Sequence, residues 1–296
     1  MQYGVSAHHI SKSFDGQKVL DDMNLEVHTN ELFGIIGADG AGKSTLLKIF
    51  ATLLLADSGE CSVAGYDVVR DFLRIRNIIG YMPGSFSLYA DLSVFENLQF
   101  FAHIFHTSIE ENYDLIKHIY AALEPFQKRK AGALSGGMKQ KLALCCTLIH
   151  KPQVLFLDEP TTGVDVVSRQ EFWDILQELK SQMTIIVSTP YMDEAKLCDR
   201  IALMANGKIL SCDSPSKICE CFPHRLFECK NLSPHHLPLI RALESVHSCF
   251  LFGQSYHIVF KHNAPIESIL NKEPFNNAEC REIKAEVEDC FMELLL

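Results

Sequence analysis

The stretch Leu32-Phe33-Gly34-Ile35-Ile36-Gly37-Ala38-Asp39-Gly40-Ala41-Gly42-Lys43-Ser44-Thr45 decides how this 296-residue chain is read. Its first five residues form an apolar run bounded by a turn, as in a strand buried on both faces. Gly37, Gly40 and Gly42 then let the backbone curl, and a helical pattern runs from Lys43 to Leu55, ending near Asp57-Ser58-Gly59. The spacing fits G-x-x-x-x-G-K-[ST] in the required strand–loop–helix setting. In such a turn several N–H groups converge on phosphate oxygens, and the helix N-terminus adds positive potential. Lys43 supplies a movable charge for β- and γ-phosphates, and Ser44 offers a hydroxyl to Mg²⁺. This motif points to a purine nucleoside triphosphate without saying which machine it drives.

A second element lies downstream. Val154-Leu155-Phe156-Leu157-Asp158-Glu159-Pro160 is an apolar strand that ends in two carboxylates. The first suits Mg²⁺ held through water, and the second suits orientation of an attacking water. No Asn-Lys-x-Asp guanine motif is present, which favours ATP over GTP. A third element, Leu134-Ser135-Gly136-Gly137-Met138-Lys139-Gln140, sets a serine and two glycines at a helix start, a second anion-binding end.

With Gly163-Val164-Asp165 following in order, residues 3 to about 220 resemble an ABC transporter ATP-binding subunit. The resemblance implies an α/β fold, a P-loop NTPase of ABC type, with a helical subdomain inserted at about 84–150. It implies that Gly37, Ala38, Asp39, Gly40, Ala41, Gly42, Lys43, Ser44 and Thr45 hold ATP, and that Ser44 and Asp158 hold Mg²⁺. Glu159 is the expected catalytic residue, and Phe14 the expected aromatic stacked on adenine. Ser135, Gly136 and Gly137 would cap ATP bound to an opposing subunit, with Asp165 linking the two sites. The central helices would dock on membrane permease subunits. Leu134 to Gln140 and Tyr191-Met192-Asp193-Glu194-Ala195 are similar to ABC-2-type exporters of drug-efflux type. Val287-Glu288-Asp289-Cys290-Phe291 is similar to their closing segment, which carries the expectation of a complete chain.

Two positions depart from that family. It has a glutamine after the Tyr-Met-Pro strand end, where this chain has Gly84. It has a histidine after the Ser-Thr strand end, where this chain has Pro190. Glycine has no side chain and proline no donor, so neither can make the missing hydrogen bonds. The expectation is a chain that binds ATP well, hydrolyses it poorly in its own site, and completes a partner's site through Ser135 to Gly137. That asymmetry predicts a heterodimer, with a homodimer as the alternative. A non-hydrolysing regulatory subunit and a soluble ABC ATPase are the competing functions.

The rest of the chain fills in around this frame. Ala7 to Phe14 and Val19 to Val27 read as strands about an Asp15-Gly16 turn, and shorter strands are expected near Cys61 to Val63 and Ile78 to Met82. Ser93 to Phe105, Ile109 to Phe126 and Gly136 to Ile149 are helical patterns. Strand–helix alternation returns with Gln153 to Leu157, Val167 to Gln182 and Thr184 to Thr189, followed by a hairpin about Asn206-Gly207. Domain boundaries follow: 1–221 for the nucleotide-binding domain and 222–296 for a small α+β domain. In the latter, strands are expected at Phe250 to Phe252 and Tyr256 to Phe260, and helices at Leu237 to Val246 and Val287 to Leu294.

Composition bounds the partners. Lys plus Arg number 27 against 37 Asp plus Glu, a net charge of -10 that disfavours nucleic acid. No run reaches the roughly 20 apolar residues that span a bilayer, and the N-terminus lacks a signal-peptide pattern. A cytoplasmic chain, peripheral on the inner face of the membrane, is expected, with any transmembrane segment supplied by partners. The 11 cysteines, without an export signal, are expected as reduced thiols. Cys212, Cys219, Cys221, Cys229 and His224 crowd one stretch, but the spacing lacks paired C-x-x-C knuckles, so scattered thiols are preferred to zinc there.

Overall fold

In a computed structural model, residues 3–261, 264–271, 273–276 and 278–296 are described, and they divide into two compact units between Ser214 and Pro215. In the first unit, β1 (Tyr3–Phe14) and β2 (Gln17–His28) form a hairpin. Asp15 and Gly16 both take positive φ there, 48° and 81°, the turn whose twist matches the strands. The buried strand β3 (Leu32–Ile36) leads through the glycine loop into α1 (Lys43–Phe50). Then come β4 (Ser58–Val63), β5 (Tyr66–Asp67), α2 (Phe72–Ile78) and β6 (Ile79–Met82).

The helical stretch holds α3 (Val94–Ile104), α4 (Tyr113–Tyr120) and α5 (Gly136–Leu148). Alternation resumes with β7 (Val154–Asp158), α6 (Val166–Leu179), β8 (Thr184–Thr189), β9 (Arg200–Ala205) and β10 (Lys208–Asp213).

Two sheets organise this unit. One is antiparallel in the order β2-β1-β4-β5; the other runs β10-β9-β3-β8-β7-β6 and is parallel except for β10. Helix α1 is packed between them. Its Leu46, Leu47, Ile49 and Phe50 share one core with Val5, Leu20 and Leu25 of the first sheet and Phe33, Phe156 and Ile186 of the second. The N-terminus of α1 therefore emerges beside the carboxyl ends of the parallel strands, where open α/β sheets bind ligands.

Several expected elements are shorter than their patterns. The helix from Lys43 stops at Phe50, not Leu55, because Thr52 turns to a φ of 60° and Leu53 and Leu55 face solvent. Ile109 to Phe126 yields only α4, followed by a 3-10 turn at Glu124–Phe126 containing Pro125. The start of α3 is fixed by a capping box: the Glu96 amide donates to Ser93 Oγ at 3.2 Å, and the Ser93 amide donates to Glu96 Oε2 at 2.7 Å.

Asn97 in α3 is fully buried. It accepts from the Tyr89 amide at 3.0 Å and donates to the carbonyls of Tyr89, Leu92 and Ser93 at 3.1, 3.3 and 2.9 Å. Asn97→Ala should cost about 2–4 kcal/mol, because several buried partners lose their bonds at once. Urea denaturation checks this value.

In the second unit, α7 (Pro215–Glu220) precedes β11 (Leu226–Lys230), α8 (Leu237–Arg241), β12 (Val246–Phe252), β13 (Ser255–Phe260), α9 (Ile266–Leu270), β14 (Glu279–Ile283) and α10 (Val287–Leu294). The unit starts at Pro215, not at 222, because α7 belongs to it: Cys290 Sγ of α10 donates to the Ile218 carbonyl at 3.6 Å. Its antiparallel sheet runs β12-β13-β11-β14 over a core that includes Phe227, Ile240, Tyr256, Phe260 and Phe275. The expected Leu237 to Val246 helix ends at Arg241, and Val246 begins β12.

The expectation of reduced thiols holds for nine cysteines and fails for Cys229 and Cys280, which form a disulfide. The β11–β14 register sets those two residues opposite each other. Among the described residues no helix is long and apolar enough to cross a membrane.

Candidate functional site

Strand register gathers the site. Ile36 of β3 pairs with Thr189 of β8, Ser188 of β8 with Asp158 of β7, and Leu157 of β7 with Met82 of β6. Four parallel strands thus end on one line, and the residues that follow them crowd the same edge: Gly37, Pro190, Glu159, and Pro83-Gly84. The Gly37 amide donates to the Thr189 carbonyl at 3.3 Å, fastening the glycine loop to the end of β8.

Glycine is required at Gly37 and Gly42. A Cβ at Gly37 would lie 2.2 Å from the Met204 carbonyl oxygen. Gly42 has a φ of 103° and Val19 O at 2.8 Å from its Cβ position. As N-cap of α1, Gly42 makes no side-chain cap bond, so no side chain there competes for the helix's first amides. Ala38, Asp39 and Gly40 are exposed, Ala41 is buried, and Thr45 is half-buried in the first turn of α1.

Lys43 is 2% exposed, yet its ammonium is well partnered. It donates to the carbonyls of Gly37 and Ala38 at 2.8 and 3.1 Å and lies 3.2 Å from Glu159 Oε1. Ser44 Oγ donates to Asp158 Oδ1 at 2.8 Å, and Ser188 Oγ donates to the same oxygen at 2.7 Å. The Tyr81 hydroxyl is buried near this carboxylate, and both burial and the negative charge raise its pKa. Glu159 adopts a left-handed φ of 49°, a strained conformation held by its amide donating to Ser188 O at 3.0 Å and Ser188 Oγ at 3.1 Å. A hydroxyl and a carboxylate in contact are hard oxygen donors, so Ser44 and Asp158 fit Mg²⁺.

The two departures are set in this cluster. A Cβ at Gly84 would lie 3.0 Å from the Asp158 carbonyl oxygen and 3.7 Å from Glu159 Cβ. Pro190 directly follows Thr189, whose carbonyl holds the glycine loop.

Ser188 was not anticipated from the sequence; its signal was a Ser-Thr pair ending the strand beside the carboxylate strand. Glu194 was also missed. It is 1% exposed, and its carboxylate accepts from Thr161 Oγ1 at 2.7 Å and Thr189 Oγ1 at 2.5 Å, with Arg169 Nε 3.7 Å away. The network ties the segment after β8 to the loop after β7 and to α6.

The remaining expected residues lie apart from this cluster. Ser135 is the N-cap of α5 and accepts from the Met138 amide at 3.4 Å. Gly136 is exposed, while Gly137 is buried against Ser168, whose Oγ would be 2.5 Å from a Cβ there. Asp165 caps α6 by accepting from the Ser168 amide at 3.0 Å, and that bond lowers its pKa. These two helix starts therefore pack together. Phe14, at the end of β1, is 45% exposed, with Lys12 Nζ 5.5 Å from its ring.

The family profile described as "ABC transporter" matches residues 20–162. The probable multidrug ABC transporter ATP-binding protein YbhF of Escherichia coli K12 is 36% identical over 296 residues, covering 97% of this chain and 51% of that protein. The chain thus spans about half the length of that curated relative. Nod factor export ATP-binding protein I of Burkholderia lata is 36% identical over 223 residues, covering 74% of this chain and 71% of that protein. Among solved structures, cbiO1 from Clostridium perfringens, part of the ABC transporter complex cbiONQ, superposes with a TM-score of 0.67 at 25% identity. It matches 75% of this chain and 92% of that one. A strand-to-helix glycine loop with a buried lysine, a carboxylate pair at the end of β7 on the same sheet edge and relatives of this extent agree: the chain belongs to the ATP-binding protein family of ABC transporters.

Proposed function

We propose that this chain is the ATP-binding motor subunit of an ABC-2-type exporter, weakly hydrolytic in its own site and working in a heterodimer. The observation that carries the reading is Gly84, which has no side chain where a Cβ would lie 3.0 Å from the Asp158 carbonyl oxygen, together with Pro190 at the loop that Thr189 fastens. In this reading, a donor at either position would be directed at the attacking water or the γ-phosphate. The names of the relatives, multidrug and Nod factor export proteins, support the export assignment.

The binding roles in this reading are those that the arrangement of the site supports. ATP phosphates would lie in the loop Gly37 to Thr45, and adenine against exposed Phe14. Mg²⁺, held by Ser44 and Asp158, would neutralise phosphate charge. Lys43 pairs with Glu159 at 3.2 Å. A phosphate that draws the ammonium away leaves the Glu159 carboxylate free to orient water. Ser135, exposed Gly136 and Asp165 would face the partner's nucleotide. The helical stretch would meet permease subunits on the cytoplasmic side.

Steady-state ATPase assays test this. The purified chain alone should bind MgATP but turn over slowly, with Glu159→Gln changing the rate little. In complex with a co-purifying second cassette, Gly136→Asp should reduce turnover far more than Glu159→Gln. Rapid turnover by the chain alone, abolished by Glu159→Gln, would overturn the heterodimer reading.

A further inference from the structure

We propose that the second unit holds a divalent transition-metal ion between His224, His247 and Glu293. These residues come from three places: the segment before β11, strand β12 and helix α10. Their ligand atoms nevertheless lie within 4.8 Å of one another, and among the described residues they alone form such a group. His224 Nε2 is 3.1 Å from Glu293 Oε1, and His247 Nε2 is 2.8 Å from the same oxygen. For zinc with bonds of about 2.0 Å to nitrogen and oxygen, neighbouring ligand atoms at a tetrahedral site are separated by about 3.3 Å. The two observed separations are near that edge, so small movements would admit the ion.

The surroundings fit as well. Glu293 is mostly withdrawn from water at 17% side-chain exposure, whereas the histidines keep 34% and 36%. Solvent therefore reaches the ligand set from the imidazole side, leaving a fourth position for water. The ring of Phe222 stands edge-on to His224 at 6.0 Å and limits its freedom. One turn earlier on α10, Asp289 takes His257 Nδ1 at 2.6 Å on one oxygen and the Glu286 amide at 2.9 Å on the other. That pair is committed to capping the helix and holding it on the sheet, which fixes the face from which Glu293 projects. Two imidazoles and one carboxylate are the donor set of zinc-class ions. The site replaces the cysteine cluster considered from the sequence: Cys229 is tied to Cys280, and His224 turns to His247 and Glu293.

Titration of the chelator-stripped full chain with Co²⁺ alone tests the site. The expected result is one bound equivalent with visible d–d bands and no thiolate charge-transfer band. His247→Ala and Glu293→Gln should each weaken binding by at least about tenfold, with Zn²⁺ displacing the cobalt from the parent chain. Retained MgATP binding and an unchanged far-ultraviolet spectrum establish that the variants are folded. Absence of stoichiometric binding would leave a plain hydrogen-bonded triad and overturn the proposal. So would a thiolate band, which would assign the ion to cysteines, or binding that survives both folded variants.

Discussion

Lys43→Ala should weaken MgATP binding by at least about a hundredfold, roughly 2.7 kcal/mol. The buried ammonium makes two hydrogen bonds to the loop's own carbonyls, those of Gly37 and Ala38. In that position it shapes the loop and carries positive charge to the place where phosphates would sit. Charge-assisted hydrogen bonds contribute about 1.5–3 kcal/mol each, so loss of one or two accounts for the expected change.

A second consequence concerns Glu159, whose Oε1 lies 3.2 Å from the ammonium. Without Lys43, that carboxylate faces the incoming phosphates unneutralised and adds repulsion to the lost attraction. Lys43→Ala combined with Glu159→Gln should therefore bind MgATP several-fold more tightly than Lys43→Ala alone. Calorimetry on the four chains of the cycle measures the coupling. Equal affinities for the single and double variants would show that Glu159 does not sense the phosphates.

The strand ends explain what could be read from residue order and what could not. The glycine loop, Asp158-Glu159 and the hairpin turns are local signals: one short segment contains both the residue types and the backbone geometry they require. Asp15-Gly16 and Asn206-Gly207 both take the paired positive φ values their identities favour. The partnership of Ser188 with Asp158 is different, because it depends on a register between β7 and β8 that joins residues 30 positions apart. Glu194 is similar: a carboxylate in a polar stretch carries no sign of being buried until Thr161 and Thr189 are folded onto it.

Helix lengths failed for a third reason. Apolar periodicity continued through Leu53 and Leu55, but those side chains remain in solvent while the backbone has already turned at Thr52. In the second unit, Cys280, Arg281 and Glu282 give β14 little apolar alternation, and its pairing with β11 supplies the strand instead. His224, His247 and Glu293 span three elements, so nothing in their spacing revealed their convergence.

Restoring the two missing side chains should have the largest effect on chemistry. A Gly84→Gln, Pro190→His chain should hydrolyse ATP at least about a hundredfold faster than the parent, since one well-placed donor contributes about 10²–10³ in rate. KM should change little, because the loop, Lys43 and Ser44 are untouched. The substitutions are physically tolerable. Gly84 is exposed and is not among the glycines with positive φ, so an L side chain suits its backbone. Its Cβ would meet the Asp158 carbonyl oxygen at 3.0 Å, tight enough to require a few tenths of an ångström of loop movement. At Pro190 the fastening bond from the Gly37 amide uses the Thr189 carbonyl, and the Tyr191 amide donates to Thr189 Oγ1 at 3.1 Å, so replacing proline removes neither. Adding Glu159→Gln should abolish the gain, since in the proposed reading the new donors would act on a water that this carboxylate would orient. If the double variant binds ATP and is folded yet turns over no faster, Gly84 and Pro190 are not what limits this site. Slow turnover by the parent chain, if measured, would then have to arise from the parts left intact, with Glu159, held by Lys43 at 3.2 Å, the first place to look.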